Sequence, residues 1–194
     1  MHETLILRLP AYGTEEPIPW LVWHKGQQEL IASGELSSVA ELVQLKDKAN
    51  RCEVIVALPG QDVSMTRVTL PAGTKRHLQR IIPYALEEEL ATDIEQLHFA
   101  WPDLKNTELP VAVVAKERMN YWLQVLTEAG IDSAFWVPDC FLLPHQNDTW
   151  QAIELADSVI VRTGEWQGFT IEKEQFAQLA PAFAAQQKLF TMAR

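Results

Sequence analysis

The sequence predicts an α/β fold, with one open sheet interrupted by an inserted α+β subdomain and followed by the start of a second lobe. Two near-continuous apolar runs, residues 52–58 (CEVIVAL) and 111–115 (VAVVA), are typical of strands buried on both faces. Helix-like and strand-like patterns alternate around both runs, and a different pattern separates them. After Pro138 only short β-like runs follow. The predicted units are an α/β domain (residues 1–58 plus 111–137), the inserted subdomain (59–110) and the start of a second, β-rich lobe (138–194).

The first unit shows the order β-β-β-α-β. Turn residues separate four strand-like runs, at residues 4–9, 20–24, 29–32 and 52–58. The four residues from Lys25 to Gln28 are predicted to form a hairpin turn. Apolar residues at helical spacing predict a helix over residues 37–46, with Ser38 as its N-cap and Glu41 three residues later.

The insert is predicted to pair a half-buried strand with a helix that contains a proline. Residues 63–70 (VSMTRVTL) alternate between apolar and polar. Residues 74–95 then carry one apolar helical face, with Thr74 as the predicted N-cap. Pro83 removes a backbone donor, so either the helix kinks there or a second helix starts with Pro83 in its first turn. A strand at residues 97–101 and an exposed loop at 102–110 complete the insert.

The remaining elements alternate before the chain becomes β-rich. A helix over residues 116–129 places apolar side chains on one face, namely Met119, Trp122, Leu123 and Leu126. Gly130 is typical of the residue that ends a helix. A strand at 131–137 returns to the sheet. The second lobe opens with strands at residues 150–155, 158–162 and 168–171, and the sequence shows no internal repeat.

The charge balance excludes several classes of partner. The chain has 194 residues, with 16 Lys and Arg against 26 Asp and Glu, a formal net charge of -10. Such a chain repels nucleic acid phosphates and anionic membrane surfaces, so we expect no nucleic acid partner. A basic protein is the natural complement, although solubility alone accounts for the balance equally well. Cys52 and Cys140 have no CxxC spacing and are expected to be free thiols.

The segment 74–95 has a charge order that opposes helix stability. Its cations lie in the first half and its anions in the second, whereas a helix dipole favours the reverse. Three consecutive glutamates also repel one another, which an external cationic partner would relieve. The alternative is a solvated surface with i,i+4 pairs. The predicted partner-facing residues are Glu87, Glu88, Glu89, Asp93 and Glu95, followed by Arg76 and Arg80.

No pattern in the chain predicts a catalytic, cofactor or metal site. The phosphate-binding patterns GxxxxGK[ST] and GxGxxG are absent, and the glycines of residues 162–168 lie at a predicted strand–turn–strand. The five histidines have no metal-ligand spacing. Cys140 and His145 lie five residues apart in an irregular, proline-flanked stretch, a spacing that does not identify a catalytic dyad. We therefore predict a protein that is not an enzyme.

Several stretches together resemble a known family. These are LRLP at residues 7–10 with PIPWLVWH, LQRIIPYALEEELATDIEQLHFAW, VPDCFLLP and VIVRTGEWQGFTIE. In this order they resemble the cytoplasmic region of type II secretion system protein L, an inner-membrane assembly component. The resemblance implies an actin-like, RNase H-related fold, in a cytoplasmic fragment of a longer protein with one membrane span at the bacterial inner membrane.

The resemblance also implies a function. Members of this family recruit the N-terminal domain of the secretion ATPase to the inner membrane for protein export. They self-associate and pair with the M protein of the same system through later regions. The resemblance implies a scaffold without a cofactor. The residues agree with this, since the turn at residues 9–13 lacks the Asp-x-Gly phosphate motif of actin-type hydrolases. The alternatives are an actin-like nucleotide-binding ATPase and a generic peptide-binding module that uses the strand edges of residues 150–171.

Overall fold

The computed structural model describes residues 2–70, 77–103, 108–133, 135–147, 149–185 and 189–193. Within these ranges the strands form three sheets. The strands are β1 (Glu3–Arg8), β2 (Ile18–His24), β3 (Glu29–Leu36), β4 (Glu53–Leu58), β5 (Ser64–Thr69), β6 (Leu97–Ala100), β7 (Glu108–Ala115), β8 (Phe135–Pro138), β9 (Thr149–Leu155), β10 (Ser158–Gly164), β11 (Gln167–Glu172) and β12 (Leu189–Ala193). The α-helices are α1 (Lys46–Ala49), α2 (Leu78–Leu86), α3 (Lys116–Ala129) and α4 (Lys173–Ala185).

The main sheet has five strands in the order β3-β2-β1-β4-β8. The first three strands are antiparallel, and β1, β4 and β8 run parallel. This confirms the predicted β-β-β-α-β order and the α/β class. Leu5 and Leu7 point to one face and are fully buried, together with Trp122 of α3. The Trp122 indole donates to the Pro10 carbonyl at 3.2 Å, so this large side chain packs without an unsatisfied N–H.

The helix predicted over residues 37–46 has a different form. Val39–Leu45 is a 3-10 helix, and only the four residues of α1 after it are α-helical. Leu42 and Leu45 are both buried, which suits the 3-10 period of three residues per turn, while Val43 is exposed. Ser38 makes no capping hydrogen bond with its side chain; instead the Glu41 carboxylate accepts from the Ser37 N–H at 2.9 Å.

The apolar run at residues 111–115 belongs to a different sheet from the one predicted. It forms part of β7, the central strand of an antiparallel sheet in the order β5-β7-β6. Val111 and Val113 pack with α2, whereas Val114 packs against the main core. The run is therefore buried on both faces as expected. The elements that bury it are α2 on one face and the main domain on the other, and the run is not a strand of the main sheet. We propose that the inserted unit ends near Ala115.

Of the loop predicted at residues 102–110, residues 104–107 lie outside the described residues, and its last three residues belong to β7 instead, which begins at Glu108. Pro110 lies inside this strand opposite Arg67 of β5. Strand β6 pairs with β7 only from Ala112 onward, so at Pro110 the strand has a neighbour on one side only among the described residues. A residue without an N–H is tolerated at such a position.

Helix α3 has the predicted bounds, and Gly130 ends it with φ of 66°, in the left-handed region that favours glycine. Its buried face is narrower than predicted, since Leu123 is exposed. The strand predicted at 131–137 begins only at Phe135.

The four-stranded sheet, which we call the second lobe, repeats part of the strand order of the main sheet. Its strands have the order β11-β10-β9-β12, with β12 parallel to β9. This is the arrangement of β3-β2-β1-β4, again with a helix before the parallel strand. The three predicted strands are confirmed, whereas α4 and β12 were not predicted. Phe176 of α4 packs against the sheet with Val159 and Val161.

Candidate partner-binding surface

The charged segment is held in place by the apolar face of α2. Ile82 and Leu86 are fully buried against the insert sheet. One α-helix continues through Pro83, and the chain then tightens into a 3-10 turn at Glu87–Glu89. The predicted cap Thr74 and the predicted partner-facing residue Arg76 lie outside the described residues. The helix begins instead at Leu78.

The five acidic residues predicted to face a partner are all exposed. They occupy two short turns, Glu87–Glu89 and the 3-10 helix Ile94–Gln96 with its cap Asp93. The Asp93 carboxylate accepts from the Glu95 N–H at 2.9 Å, and the Lys116 ammonium donates to the Glu95 carbonyl at 2.7 Å. In the described part of the chain, no cation lies within 4.0 Å of any of the five carboxylates. We call Glu87, Glu88, Glu89, Asp93 and Glu95 the acidic surface.

A small groove joins the acidic surface to α2. It has a volume of about 320 Å³ and brings Arg80 and Glu95 to the same site. Tyr84 is 63% exposed at its edge, beside Pro83 and Ile94. Exposed tyrosines are enriched at protein interfaces. The sequence analysis did not select Tyr84. Its position outside the apolar face of the helix does indicate an exposed aromatic side chain, so the sequence contained a signal for it. We call this site the α2 groove.

A buried ion pair ties the two lobes together at the end of β1. The Arg8 guanidinium donates through Nε to Asp139 Oδ2 at 3.0 Å and contacts Glu16 at 3.2 Å. Asp139 also accepts from the Thr170 hydroxyl of β11 at 2.9 Å. Arg8 is 5% and Asp139 1% exposed. Gly60 packs so closely that a Cβ there would lie 2.5 Å from the Thr170 hydroxyl oxygen.

The two cysteines are poor nucleophiles. Burial raises the pKa of Cys140 to about 12, and burial is also the main cause that raises the pKa of Cys52. Because the thiolate is the reactive form, neither side chain is prepared for catalysis. Among the residues that the structure describes, no group of three or more His, Cys, Asp or Glu side chains could hold a metal ion. No described helix is both long and apolar enough to cross a membrane.

Comparison with known proteins identifies the family. Residues 5–194 match the family model for type II secretion system protein L. The chain belongs to this family. It is 33% identical over 180 residues to protein L of Vibrio cholerae, and the match covers 93% of this chain and 44% of that protein. The chain thus spans less than half the length of the curated relatives it matches.

Solved structures confirm the actin-like fold. The chain is similar to the cytoplasmic domain of EpsL, an inner-membrane component of the type II secretion system of Vibrio cholerae. The TM-score is 0.84 at 30% identity, and the match covers 99% of this chain and 84% of that one. A Bacteroides thetaiotaomicron protein with an actin-like ATPase fold matches with a TM-score of 0.52 at 11% identity, covering 98% and 80% of the two chains. The second likeness shows the fold alone.

Proposed function

We propose that this protein L chain is a non-catalytic scaffold of the inner-membrane secretion platform, which recruits the N-terminal domain of the secretion ATPase through its acidic surface. The observation that carries the proposal is a row of exposed carboxylates with no cation within 4.0 Å in the described part of the chain. These groups are available to a basic partner. Arg80 and Tyr84 lie beside them and would extend the contact.

The proposal that the chain does not hydrolyse nucleotide rests on the end of β1. An actin-type hydrolase needs an acid in the turn that follows this strand. Here the strand ends in Arg8, whose guanidinium is paired with Asp139 and Glu16. The turn itself offers Leu9, Pro10 and Ala11, which are buried. Such a turn provides neither a magnesium ligand nor a free cation for phosphate.

The other partners remain proposals that belong to the longer protein. The cytoplasmic face of the inner membrane, self-association and binding to the M protein are inferred from the family alone. The alternative, a generic peptide-binding module that uses the strand edges of residues 150–171, has less support. In the described sheet β9 and β10 are each paired on both sides, so of these three strands only β11 leaves an edge for a peptide.

The test is the affinity of this chain for the purified N-terminal domain of the secretion ATPase from the same organism, measured by calorimetry at several salt concentrations. Three exposed charge pairs of about 0.5 kcal/mol each correspond to about a tenfold change in affinity. We therefore expect the triple variant Glu87→Lys, Glu88→Lys, Glu89→Lys to bind at least about tenfold more weakly, with a flatter salt dependence.

A control triple variant, Glu29→Lys, Glu35→Lys, Asp157→Lys, changes the net charge equally but lies outside the acidic surface. It should bind nearly as well as the unaltered chain. No binding by the unaltered chain would overturn the scaffold proposal. Equal losses in the two triple variants would show that net charge, and not this surface, governs binding. Magnesium-dependent ATP turnover by the chain would refute the non-catalytic part.

A further inference from the structure

A second groove lies between α3 and the turn that carries Asp93 and Glu95. Its volume is about 610 Å³, and it bridges the main domain and the insert. We call it the α3 groove. Its lining includes Tyr12 from the main domain, Thr92 and Gln96 from the insert, and Asn120 and Tyr121 from α3.

The α3 groove presents several polar groups to solvent. Thr92, Gln96 and Asn120 are exposed, and their side chains make no hydrogen bond to another residue in the described ranges. A hydroxyl and two amides can each donate and accept. Gln124 differs, because its amide donates to Glu128 at 2.8 Å. The groove therefore offers hydrogen-bonding capacity from both of its walls.

One wall of the α3 groove is a fixed aromatic surface. Tyr12 and Tyr121 pack edge to face, with ring centroids 5.3 Å apart. The Tyr12 hydroxyl donates to the Glu117 carboxylate at 2.7 Å, a bond that raises the pKa of Tyr12, and its backbone N–H donates to Asp62 at 2.8 Å. Tyrosines held in this way offer contact area at a low cost in conformational entropy.

The negative charge near the α3 groove comes from the turn beside it. The charged residues that line the groove are Lys116 and Glu117, and their charges balance. The Lys116 ammonium donates to the neutral Glu95 carbonyl, and the Glu117 carboxylate accepts from a neutral tyrosine hydroxyl. Asp93 and Glu95 lie on the adjoining turn, and among the described residues no cation lies within 4.0 Å of their carboxylates. The net charge of this region is therefore negative, which favours a cationic ligand segment.

The polar residues that line the α3 groove indicate the backbone conformation of the segment it binds. An amphipathic helix places apolar side chains in an apolar groove, and its backbone N–H and C=O groups are hydrogen-bonded to one another within the helix. The α3 groove offers hydroxyls and amides instead, and these suit a chain whose own N–H and C=O groups are unpaired. An extended segment has such groups along its whole length.

We propose that the α3 groove binds an extended, positively charged segment of the partner that docks on the acidic surface. This inference rests on the proposed function. A single turn connects the two sites: Asp93 and Glu95 belong to the acidic surface, while Thr92 and Gln96 line the groove. One partner therefore contacts both, and holds the insert against the main domain.

The experiment measures binding of the ATPase N-terminal domain to the double variant Gln96→Ala, Asn120→Ala. The loss of two amide hydrogen bonds should weaken binding roughly tenfold, which corresponds to about 1.4 kcal/mol. Because no charge is removed, the salt dependence should stay that of the unaltered chain, unlike that of the glutamate reversals. Two exposed amides outside both grooves provide the control, Gln27→Ala, Asn50→Ala, which should bind normally.

A second measurement locates the contact directly. Hydrogen exchange of the complex should show protection of residues 92–96 and 115–124, and the bound segment of the ATPase domain should show extended backbone chemical shifts. Unchanged affinity of the groove variant, or a helical bound segment, would overturn this inference while leaving the scaffold proposal intact. Absence of any binding by the unaltered chain would overturn both.

Discussion

Replacing Asp139 with alanine tests whether the buried ion pair holds the two lobes together. The substitution removes the anion that faces Arg8 and the acceptor for the Thr170 hydroxyl. Arg8 is 5% exposed and would keep only Glu16 as a charged partner, at 3.2 Å. A buried cation that loses its main partner cannot recover the hydration it gave up on folding.

The expected cost is about 3–5 kcal/mol, the usual range for breaking a buried pair from one side. The unpaired hydroxyl of Thr170 contributes to this sum, and Glu16 reduces it. For a chain of this size the loss corresponds to a fall of about 10 °C in melting temperature. Asp139→Asn keeps one oxygen that can accept from Arg8, and its new amide nitrogen can donate to the Thr170 hydroxyl oxygen, so it should cost less, about 1–2 kcal/mol.

The assay is urea unfolding followed by tryptophan fluorescence, with thermal unfolding in parallel. The double variant Arg8→Met, Asp139→Leu removes both charges and should be more stable than Asp139→Ala alone, because no buried charge remains unpaired. A loss below about 1 kcal/mol for Asp139→Ala, or a double variant whose loss equals the sum of its single changes, would refute the reasoning.

Three further predictions concern backbone and thiol positions. Gly60→Ala should cost about 1–3 kcal/mol in urea unfolding, since its Cβ would lie 2.5 Å from the Thr170 hydroxyl oxygen; a neutral effect would contradict this packing. Gly130→Ala should cost about 1–2 kcal/mol because φ is 66°, and an unchanged urea midpoint would argue against the left-handed helix end. Cys52 and Cys140 should resist a thiol reagent at pH 8 until urea unfolds the chain, because both pKa values are raised; fast labelling of the native protein would show that a site is open.

Local sequence patterns predicted the helices and strands better than they predicted which strands pair in a sheet. The bounds of α3 followed from an apolar face and a terminal glycine, both of which lie within one stretch of sequence. The apolar run of β7 predicted burial on both faces but not the sheet that provides it, because a strand pattern carries no information about its neighbours. Helix α4 was missed in a stretch expected to be β-rich.

For the candidate site, too, the sequence predicted local properties but not the contacts between distant residues. The acidic surface was predicted to be exposed from its composition, and the structure places all five residues at the surface. The two grooves could not be predicted, because each needs side chains from elements far apart in the chain. The α3 groove combines Tyr12 with residues near 94 and near 120.

The sequence by itself determined the α/β class, the family resemblance, the charge of the candidate surface and the lack of a phosphate motif. These properties reside in residue types and short spacings. Only the tertiary structure decided the placement of β7, the repeated strand order of the second lobe and the pairing of Arg8 with Asp139. That pair joins positions 131 residues apart. Contacts of this kind depend on strand register and sheet order. These are determined when apolar side chains from distant parts of the chain are buried together, and no single stretch of sequence specifies them.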